Sequence, residues 1–221
     1  MVTENLDMSN AQDNSRSRRT RDRRREILRA AAEIFGSKGY HNGSLIDIAE
    51  QVGMTHAGIL HHFGSKHQLL LEVLDFRDEA DVEHLEGHHP PEGLDLFKHL
   101  VTTARSNTAR PGIVQTYAVL STESVTDGHP GHDYFRDRFA ELREMLGRSL
   151  RQLCDPERMP DDEQVDTAAS AIIGAMDGLQ VQWLLDSETV DLPRSTAFVI
   201  QAIVTSLVEG HTGTELDEES H

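Results

Sequence analysis

The amino-acid sequence predicts an all-α protein, with an N-terminal three-helix domain followed by a larger C-terminal helical domain. Through most of the 221 residues, apolar side chains recur at three- and four-residue spacing, which is the period of one helix face. Each of the seven prolines stands at the start or the end of such a stretch, never inside one. The sequence contains no alternating strand of useful length, no hairpin dipeptide between β-branched runs and no internal repeat.

The breaks between periodic stretches predict the helices in chain order. Residues 1–20 are polar and lack periodicity, so we expect them to be disordered. A first helix begins near Asp22 and ends at Gly36 and Gly39, because glycine favours helix C-termini. A short pair of helices then lies within residues 44–63. Later helices are expected from Ser65 to Pro90–Pro91 and over 92–109, 112–122, 130–153, 162–185 and 193–209.

Charge is distributed very unevenly along the chain. The net charge is −17, but residues 1–66 carry 10 basic and 8 acidic side chains, and seven arginines lie between Arg16 and Arg25. This asymmetry favours a nucleic-acid-facing end and an acidic body. Hydrophobic residues make up 37% of the chain, enough for a core. The single Cys154 excludes an internal disulfide, and without an apolar leader or span the expected compartment is the cytoplasm.

Residues 44–63, SLIDIAEQVGMTHAGILHHF, have the spacing of a helix-turn-helix. Ala49 stands four residues before Gly53, which is suited to the left-handed conformation of the turn, and Ile59 points inward six residues later. Ser44 and Thr55 are natural N-caps for the two helices. The outward face of the second helix, which can enter a major groove, comprises Thr55, His56, Ala57, Leu60 and His61.

The segment from Arg24 to Val73 resembles the N-terminal domain of the TetR family of transcriptional repressors, continuously over about fifty residues. The string MDGLQVQWLLD, from Met176 to Asp186, resembles the penultimate helix of many members. The residues that carry the N-terminal resemblance are Ile27, Leu28, Ala31, Phe35, Gly39, Tyr40, Ser44, Ile48, Ala49, Gly53, His62, Phe63, Lys66 and Leu70.

The resemblance implies a ligand-responsive regulator, most simply a repressor that a small-molecule effector releases from a pseudo-palindromic DNA operator. The expected organisation is an arginine-rich tail at 1–20, a DNA-binding domain at 21–66, an effector-binding and dimerisation domain at 67–210 and an acidic mobile tail at 211–221. An effector that fits the pocket in only one separation of the two DNA-binding heads would shift the dimer out of register with its operator.

One departure from the family concerns the DNA contacts. Many members have a tyrosine that donates to a phosphate at the position of Leu60. Of the two roles open to Leu60, touching a thymine methyl or packing against the preceding helix, we favour packing. The remaining expected phosphate contacts are Ser44, Thr55, His61 and Lys66. Arg18 and Arg19 of the tail are expected to enter the adjacent minor groove.

The last two helices are more apolar than one side of a core requires, which favours a homodimer built as a four-helix bundle. The stripe of small residues, Ala168 included, lets a partner helix approach closely. The residues expected at this interface are Ala171, Ala175, Gly178, Gln182, Ile203 and Leu207. By resemblance the effector pocket lies among the middle helices, and its expected lining is Phe97, Tyr117, Met176 and Trp183.

Thirteen histidines raise the alternative of a metal-binding protein. The candidate clusters are His84 with His88–His89, and His129 with His132, but neither has the spacing of a zinc site. Catalytic signatures such as Gly-x-Ser-x-Gly or a phosphate loop are absent from the sequence, so we predict no enzyme, no cofactor and no metal. The alternative function is a helical small-molecule- or metal-binding protein whose helix-turn-helix is vestigial.

Overall fold

The structure is all-α throughout its described residues, which confirms the predicted fold class. It is a computed structural model that describes the backbone of residues 2–82 and 90–209 and the side chains of residues 18–78 and 90–209. A short 3-10 turn, Pro156–Arg158, separates the seventh and eighth helices. The helices are α1 Val2–Asn42, α2 Leu45–Gln51, α3 His56–Phe63, α4 Lys66–Val82, α5 Gly93–Asn107, α6 Pro111–Glu123, α7 His132–Leu153, α8 Asp162–Leu185 and α9 Leu192–Glu209.

Helix α1 begins at Val2, so the prediction of disorder over residues 1–20 is wrong for residues 2–20. Neither glycine nor proline occurs in the chain before Gly36. Once the apolar face that starts at Ile27 is packed, further turns on its N-terminal side cost little, because each residue fixed adds one hydrogen bond. Arginine, glutamate and methionine in this stretch are also good helix formers. Hydrophobic periodicity detects a helix only where apolar residues recur along one face, and residues 1–20 are mostly polar.

The two glycines expected to end α1 have different roles. Gly39 breaks the helix with φ 74° and ψ 170°, a conformation that side-chain-bearing residues rarely adopt. Gly36 stays helical and lets α6 approach, because a Cβ there would lie 2.5 Å from Thr116 Oγ1. The hydroxyl of Thr116 in turn donates to the carbonyl oxygen of Ala32 at 2.8 Å. Gly39 therefore breaks α1 near its C-terminal end, and Gly36 lets α6 pack closely against it.

Helix boundaries in the C-terminal half follow the prolines and caps as predicted. Pro111 occupies the first turn of α6, and α8 has the predicted bounds of 162–185. Asp161 and Gln164 form a reciprocal capping box at the start of α8. The predicted tail at 211–221 and the predicted His84 and His88–His89 cluster lie outside the described residues.

Two large hydrophobic clusters form the core. The first joins α1 to α4 and is completed by Tyr117 and Leu120 of α6 and by Phe135 of α7, so the N-terminal domain does not close its core alone. The second lies between α5, α7, α8 and α9, and its fully buried members include Leu96, Leu150 and Ile172. Helix α7 contributes buried residues to both clusters and therefore couples the two halves of the molecule through packing. Within the described part of the chain, no helix combines the length and the apolar character needed to cross a bilayer.

Candidate nucleic-acid interface

The helix-turn-helix forms as predicted, with both helices capped by side chains. Ser44 Oγ accepts the backbone N–H of Asp47 at 3.0 Å, and Thr55 Oγ1 accepts that of Gly58 at 3.1 Å. Gly53 takes the left-handed conformation at φ 64°, and the N–H of Met54 donates to the carbonyl oxygen of Ala49 at 2.8 Å. Both predicted N-caps and the glycine turn are confirmed. The hydrogen bonds that end α2 and start α3 fix the angle between these two short helices.

A small apolar core holds α3 in place from its inner side. Ile59 is fully buried, and Phe63 at the end of α3 is 4% exposed. The residues that α2 and the turn contribute are Leu45, Ile48, Ala49 and Val52, all buried. Because the inner face is occupied in this way, the opposite face of α3 is necessarily presented to solvent.

The outer face of α3 carries most of the residues expected to contact DNA. Thr55, His56, Ala57 and His61 are exposed on it. Leu60 is half-buried and packs against the first hydrophobic cluster, so the expectation that it packs is confirmed. The structure thus brings four of the five predicted recognition-face residues to one solvent-facing surface, and Leu60 lies at its edge.

His62 differs from the other two histidines of α3. It is half-buried, and its ring centre lies 6.2 Å from that of Phe63. Burial lowers the pKa of His62, and the nearby His61, Arg24 and Arg23 lower it further. His62 is therefore neutral at neutral pH and belongs to the packing of α3.

Two arginines of α1 brace the helix-turn-helix. Arg23 donates to the carbonyl oxygen of Val52, the last residue before the glycine turn, at 3.3 Å. Arg24 pairs with Glu72 of α4, donates to the carbonyl oxygen of His62 and lies 4.3 Å from the centre of the Phe63 ring. Composition marked these arginines only as part of a basic run, so their structural role was not predicted. Spacing alone cannot separate a bracing arginine from an exposed one.

The remaining basic groups near the motif have two different environments. Arg18 and Arg19 are exposed on the helical N-terminal part of α1. Lys66 is half-buried: its Nζ donates to the carbonyl oxygen of His41 at 3.2 Å and lies 4.5 Å from the centre of the Tyr40 ring. Burial lowers the pKa of Lys66, and Glu123 opposes that shift. Lys66 is already bound within the protein, so any phosphate must share it with His41.

Comparison with known proteins decides the family. The family model described as bacterial regulatory proteins of the TetR family matches residues 27–73, and that of the BetI-type transcriptional repressor C-terminal domain matches residues 130–208. The transcriptional regulator BetI of Agrobacterium fabrum is 30% identical over 185 residues, which are 80% of this chain and 84% of BetI. The chain belongs to the TetR family.

Other relatives agree with this assignment. The regulator ArpR of Pseudomonas putida is 28% identical over 180 residues, covering 76% of this chain and 83% of ArpR. The crystal structure of TylP, a TetR regulator from Streptomyces fradiae, shares the fold with a TM-score of 0.65 at 21% identity, covering 86% of this chain and 88% of TylP. This TetR-family protein is therefore a ligand-responsive, DNA-binding transcriptional regulator and not an enzyme. Members of the family bind operator DNA and small-molecule effectors and act as dimers.

The residues expected at the dimer interface are exposed or half-buried on α8 and half-buried on α9. Ala171, Gly178 and Gln182 are exposed on α8, and a Cβ added at Gly178 would meet no atom within 4 Å. Ala175, Ile203 and Leu207 are half-buried, whereas Ala168 is buried in the second cluster and belongs to the core. Three large apolar side chains of α8 and α9 are exposed as well: Val181 is 42% exposed, Leu185 is 83% exposed and Phe198 is 73% exposed.

The four residues expected to line the effector pocket do not share one cluster. Phe97 and Met176 meet in the second cluster, Tyr117 belongs to the first, and Trp183 packs with Leu192 in a third. All four lie around the middle helices, but only Phe97 and Met176 belong to the same cluster. Phe97, Tyr117 and Trp183 are each buried by protein atoms, as core residues are.

The sequence analysis did not predict the charged network that surrounds Tyr117. The Arg77 guanidinium lies 4.1 Å from the centre of the Tyr117 ring, and that of Arg138 lies 5.9 Å from it. Asp78 of α4 accepts hydrogen bonds from Arg77, Arg138 and Tyr134. Sequence gives no signal for this network, because its members are distant along the chain and each resembles an ordinary surface residue.

A second carboxylate, Asp177 of α8, lies near the same arginines. Burial raises the pKa of Asp177 to about 6, and Arg77 and Arg138 oppose that shift. Burial also raises the pKa of Tyr117, with Asp177 adding to the effect. The network therefore gathers polar groups from α4, α6, α7 and α8 beside the predicted pocket residue Tyr117.

The histidines of the α6–α7 loop are used internally. His129 Nδ1 accepts the backbone N–H of Gly131 at 3.1 Å, and His132 Nδ1 lies 3.0 Å from the carbonyl oxygen of Ser124. Across the described ranges, with residues 79–89 apart, no three His, Cys, Asp or Glu side chains are grouped as a metal ion requires. The loop histidines order the turn between α6 and α7.

Proposed function

We propose that this TetR-family regulator binds a pseudo-palindromic operator as a homodimer, represses transcription from it and leaves it when a small-molecule effector binds. The observation that carries the proposal is the exposed face of α3, where Thr55, His56, Ala57 and His61 lie together on a helix capped at its start. A short helix that is held by packing on one side and is free on the other suits insertion into a major groove.

Phosphate contacts supply the affinity in this proposal. The hydroxyls of Ser44 and Thr55 each accept a backbone N–H and still have a proton to donate to a phosphate oxygen. Lys66 adds a charge near the N-terminus of α4, where Ser65 Oγ accepts the N–H of Gln68 at 3.0 Å. Arg18 and Arg19 extend the positive surface along α1. Contacts of this kind position the protein, while base contacts from α3 specify the sequence.

Homodimerisation through α8 and α9 supplies the symmetry. Large exposed apolar side chains such as Leu185 of α8 and Phe198 of α9 are of the kind that proteins in water bury at an interface. A two-fold axis through a four-helix bundle would place two α3 helices on successive major grooves, about 34–36 Å apart or a multiple of that distance. We place the regulator in the cytoplasm, where bacterial operator DNA lies.

Effector binding is proposed for the region between α5, α6 and α8. Its support is that Tyr117 lies near Arg138 and Asp177, while Phe97 and Met176 pack in the second cluster. Ligand sites combine an apolar lining with a few convergent polar groups, which is the composition here. A ligand that binds only the folded protein raises its Tm, so a thermal-shift screen of cationic, anionic and neutral aromatic compounds identifies candidate effectors.

Selection of DNA from a random pool, followed by hydroxyl-radical footprinting, tests the proposal. The expected result is a pseudo-palindrome whose two protected half-sites are centred about 10–10.5 base pairs apart, or a multiple of that spacing. A candidate effector should remove the footprint. Enrichment of no sequence, or of an asymmetric site bound by one chain, would refute the dimeric operator complex. If the protein is instead a small-molecule-binding protein with a vestigial helix-turn-helix, the selection should enrich no DNA sequence.

A further inference from the structure

The C-terminal end of α1 is held by side chains from two other helices. The backbone N–H of Tyr40 donates to Glu123 Oε2 of α6 at 2.7 Å. Lys66 of α4 binds the carbonyl oxygen of His41 and lies over the Tyr40 ring. The end of α1 therefore gains a polar contact with α6 immediately before the chain enters the helix-turn-helix.

Gly39 makes room for the Glu123 carboxylate. A Cβ on Gly39 would lie 2.1 Å from Glu123 Oε1, closer than any side chain could be placed. The positive φ of Gly39 turns the following N–H, that of Tyr40, toward Oε2. Glycine is therefore needed here both for the backbone conformation and for the space, and the contact with Glu123 is closely fitted.

His129 lies behind Glu123 and is the buried group that faces it. The His129 side chain has no exposed surface, and its Nε2 lies 3.9 Å from Glu123 Oε2. Among the described residues, that Nε2 has no hydrogen-bond partner. Its Nδ1 accepts the N–H of Gly131 at 3.1 Å, so the neutral ring carries its proton on Nε2. Ser124 Oγ, 3.1 Å from Nδ1, is in place to accept a hydrogen bond from a second proton on the ring.

We propose that Glu123 is the positioning residue through which α6 holds the DNA-binding domain, and that protonation of His129 draws Glu123 away from Tyr40 and loosens that hold. Protonation at Nδ1 makes the ring positively charged while its Nε2 lies 3.9 Å from Glu123 Oε2, and the attraction draws that carboxylate toward His129 and away from the Tyr40 N–H. The inference rests on DNA binding by α3, because a loosened α1 leaves α3 less firmly oriented in the operator.

The titratable groups around His129 come from every helix packed at this point. Tyr40 and His41 of α1 have ring centres 5.2 Å and 5.6 Å from that of His129, Glu123 belongs to α6, and Lys66 of α4 lies over Tyr40. His132 begins α7 on the other side of the loop. Burial lowers the pKa of His129, Glu123 opposes that shift, and His41 adds to it. The folded state thus prefers neutral His129.

The sign of the pH effect follows from this preference. Because the folded-state pKa of His129 lies below its unfolded value of about 6.5, its stabilising contribution is complete above that pH. The contribution is lost as the pH falls through about 6.5 toward the folded-state pKa. The junction is therefore intact at neutral pH and weakened in mild acid.

Operator affinity of four variants at about pH 7.5 and pH 5.5 tests the inference. At the higher pH, Glu123→Ala should bind about fivefold more weakly, the lower end of ordinary coupling between sites, because Tyr40 loses its acceptor. Glu123→Gln keeps an oxygen acceptor and should bind within about twofold of the unaltered protein. His129→Gln, whose amide oxygen can accept the Gly131 N–H, and Glu141→Ala, an exposed carboxylate of α7, should also be unchanged.

Lowering the pH distinguishes a positioning role of Glu123 and His129 from a role in folding alone. Between about pH 7.5 and pH 5.5, the unaltered protein should lose about fivefold more affinity than His129→Gln. The Tyr40 amide resonance of the full-length dimer should shift with the same midpoint, and that shift should vanish in His129→Gln. Equal pH dependence in the two proteins would overturn the inference, as would Glu123→Ala binding like Glu141→Ala. Normal binding by His56→Ala/His61→Ala would instead place the failure in the DNA interface.

Discussion

Arg138 of α7 forms an ion pair with Asp78 of α4, and the hydroxyl of Tyr134 donates to the same carboxylate oxygen. Two residues separate the end of α3 from the start of α4, so this contact ties the helix that follows α3 to α7. Asp78 also pairs with its neighbour Arg77 at 2.9 Å. Movement of α7 relative to α4 must therefore break or carry this ion pair, which makes it a point of coupling between the two domains.

A double-mutant cycle of Arg138→Met and Asp78→Asn should reveal this coupling. We expect the two changes to be non-additive by about 1–2 kcal/mol in the free energy of unfolding, because both residues are largely buried and share one hydrogen-bond network. Urea denaturation of the four proteins measures the term. Effects that add within about 0.5 kcal/mol would indicate that the pair contributes no specific coupling. Arg148→Met, which breaks the exposed pair with Glu144, is the matched control.

Asp177→Asn should stabilise the protein at neutral pH and not in acid. Burial raises the pKa of Asp177 to about 6, so the folded state binds its proton more tightly than the unfolded state does. The cost of the charge is absent below the unfolded pKa of about 4 and grows as the pH rises to about 6. We expect a gain of about 1–2 kcal/mol at pH 7.5, from denaturation curves at several pH values. A gain of the same size at pH 4 would show that the effect is not the charge.

The dimer should depend on the small residues of α8. Gly178→Leu adds bulk where a Cβ meets nothing in the monomer, so it should leave each chain folded and still prevent association. Ala171→Glu should act in the same way through buried charge. Gly112→Leu is the matched control, because Gly112 is exposed on α6 and is equally free of neighbours. Sedimentation measures the mass, and a dimer of Gly178→Leu as tight as that of the control would move the interface elsewhere.

Sequence reasoning found the helix boundaries wherever a helix has one buried face and a cap. The bounds of α8 and the caps Ser44 and Thr55 were predicted for that reason. It failed for residues 2–20, because that polar stretch carries no apolar period. The exposed face of α3 was predicted from helical periodicity alone, once Ile59 had been assigned to the buried face.

Contacts between distant elements were beyond the reach of one sequence. The Glu123 contact to Tyr40 spans 83 positions, and the Asp78 contact to Arg138 spans 60. Polar residues in such contacts look like surface residues, because hydrophobicity carries the pattern and charge does not. The predicted pocket residues lie in three different clusters. Apolar character predicts that a residue is buried, but the cluster that it joins depends on how the helices cross.

Arg18 and Arg19 should contribute affinity without sequence choice. They are exposed on a helical part of α1, so they are expected to follow the phosphate backbone rather than enter the groove as a disordered strand. Arg18→Ala/Arg19→Ala should make the dependence of log K on log salt shallower by up to about two for each chain. Binding titrations at several salt concentrations measure this slope, with Arg148→Ala as the control. An unaltered slope would remove both arginines from the interface.

The central claim is that the exposed face of α3 reads the operator, and operator affinity of the His56→Ala/His61→Ala variant tests it most directly. Both side chains are exposed, so their removal should leave the fold and the dimer intact. Because neither imidazole could then hold a base or a phosphate, specific binding should weaken by at least about tenfold, since such interactions are worth roughly 1–3 kcal/mol. Binding to unrelated DNA should change much less, and His67→Ala, an exposed histidine of α4, is the control. Affinity and sequence preference equal to those of the unaltered protein would contradict the assignment of α3 as the reading helix.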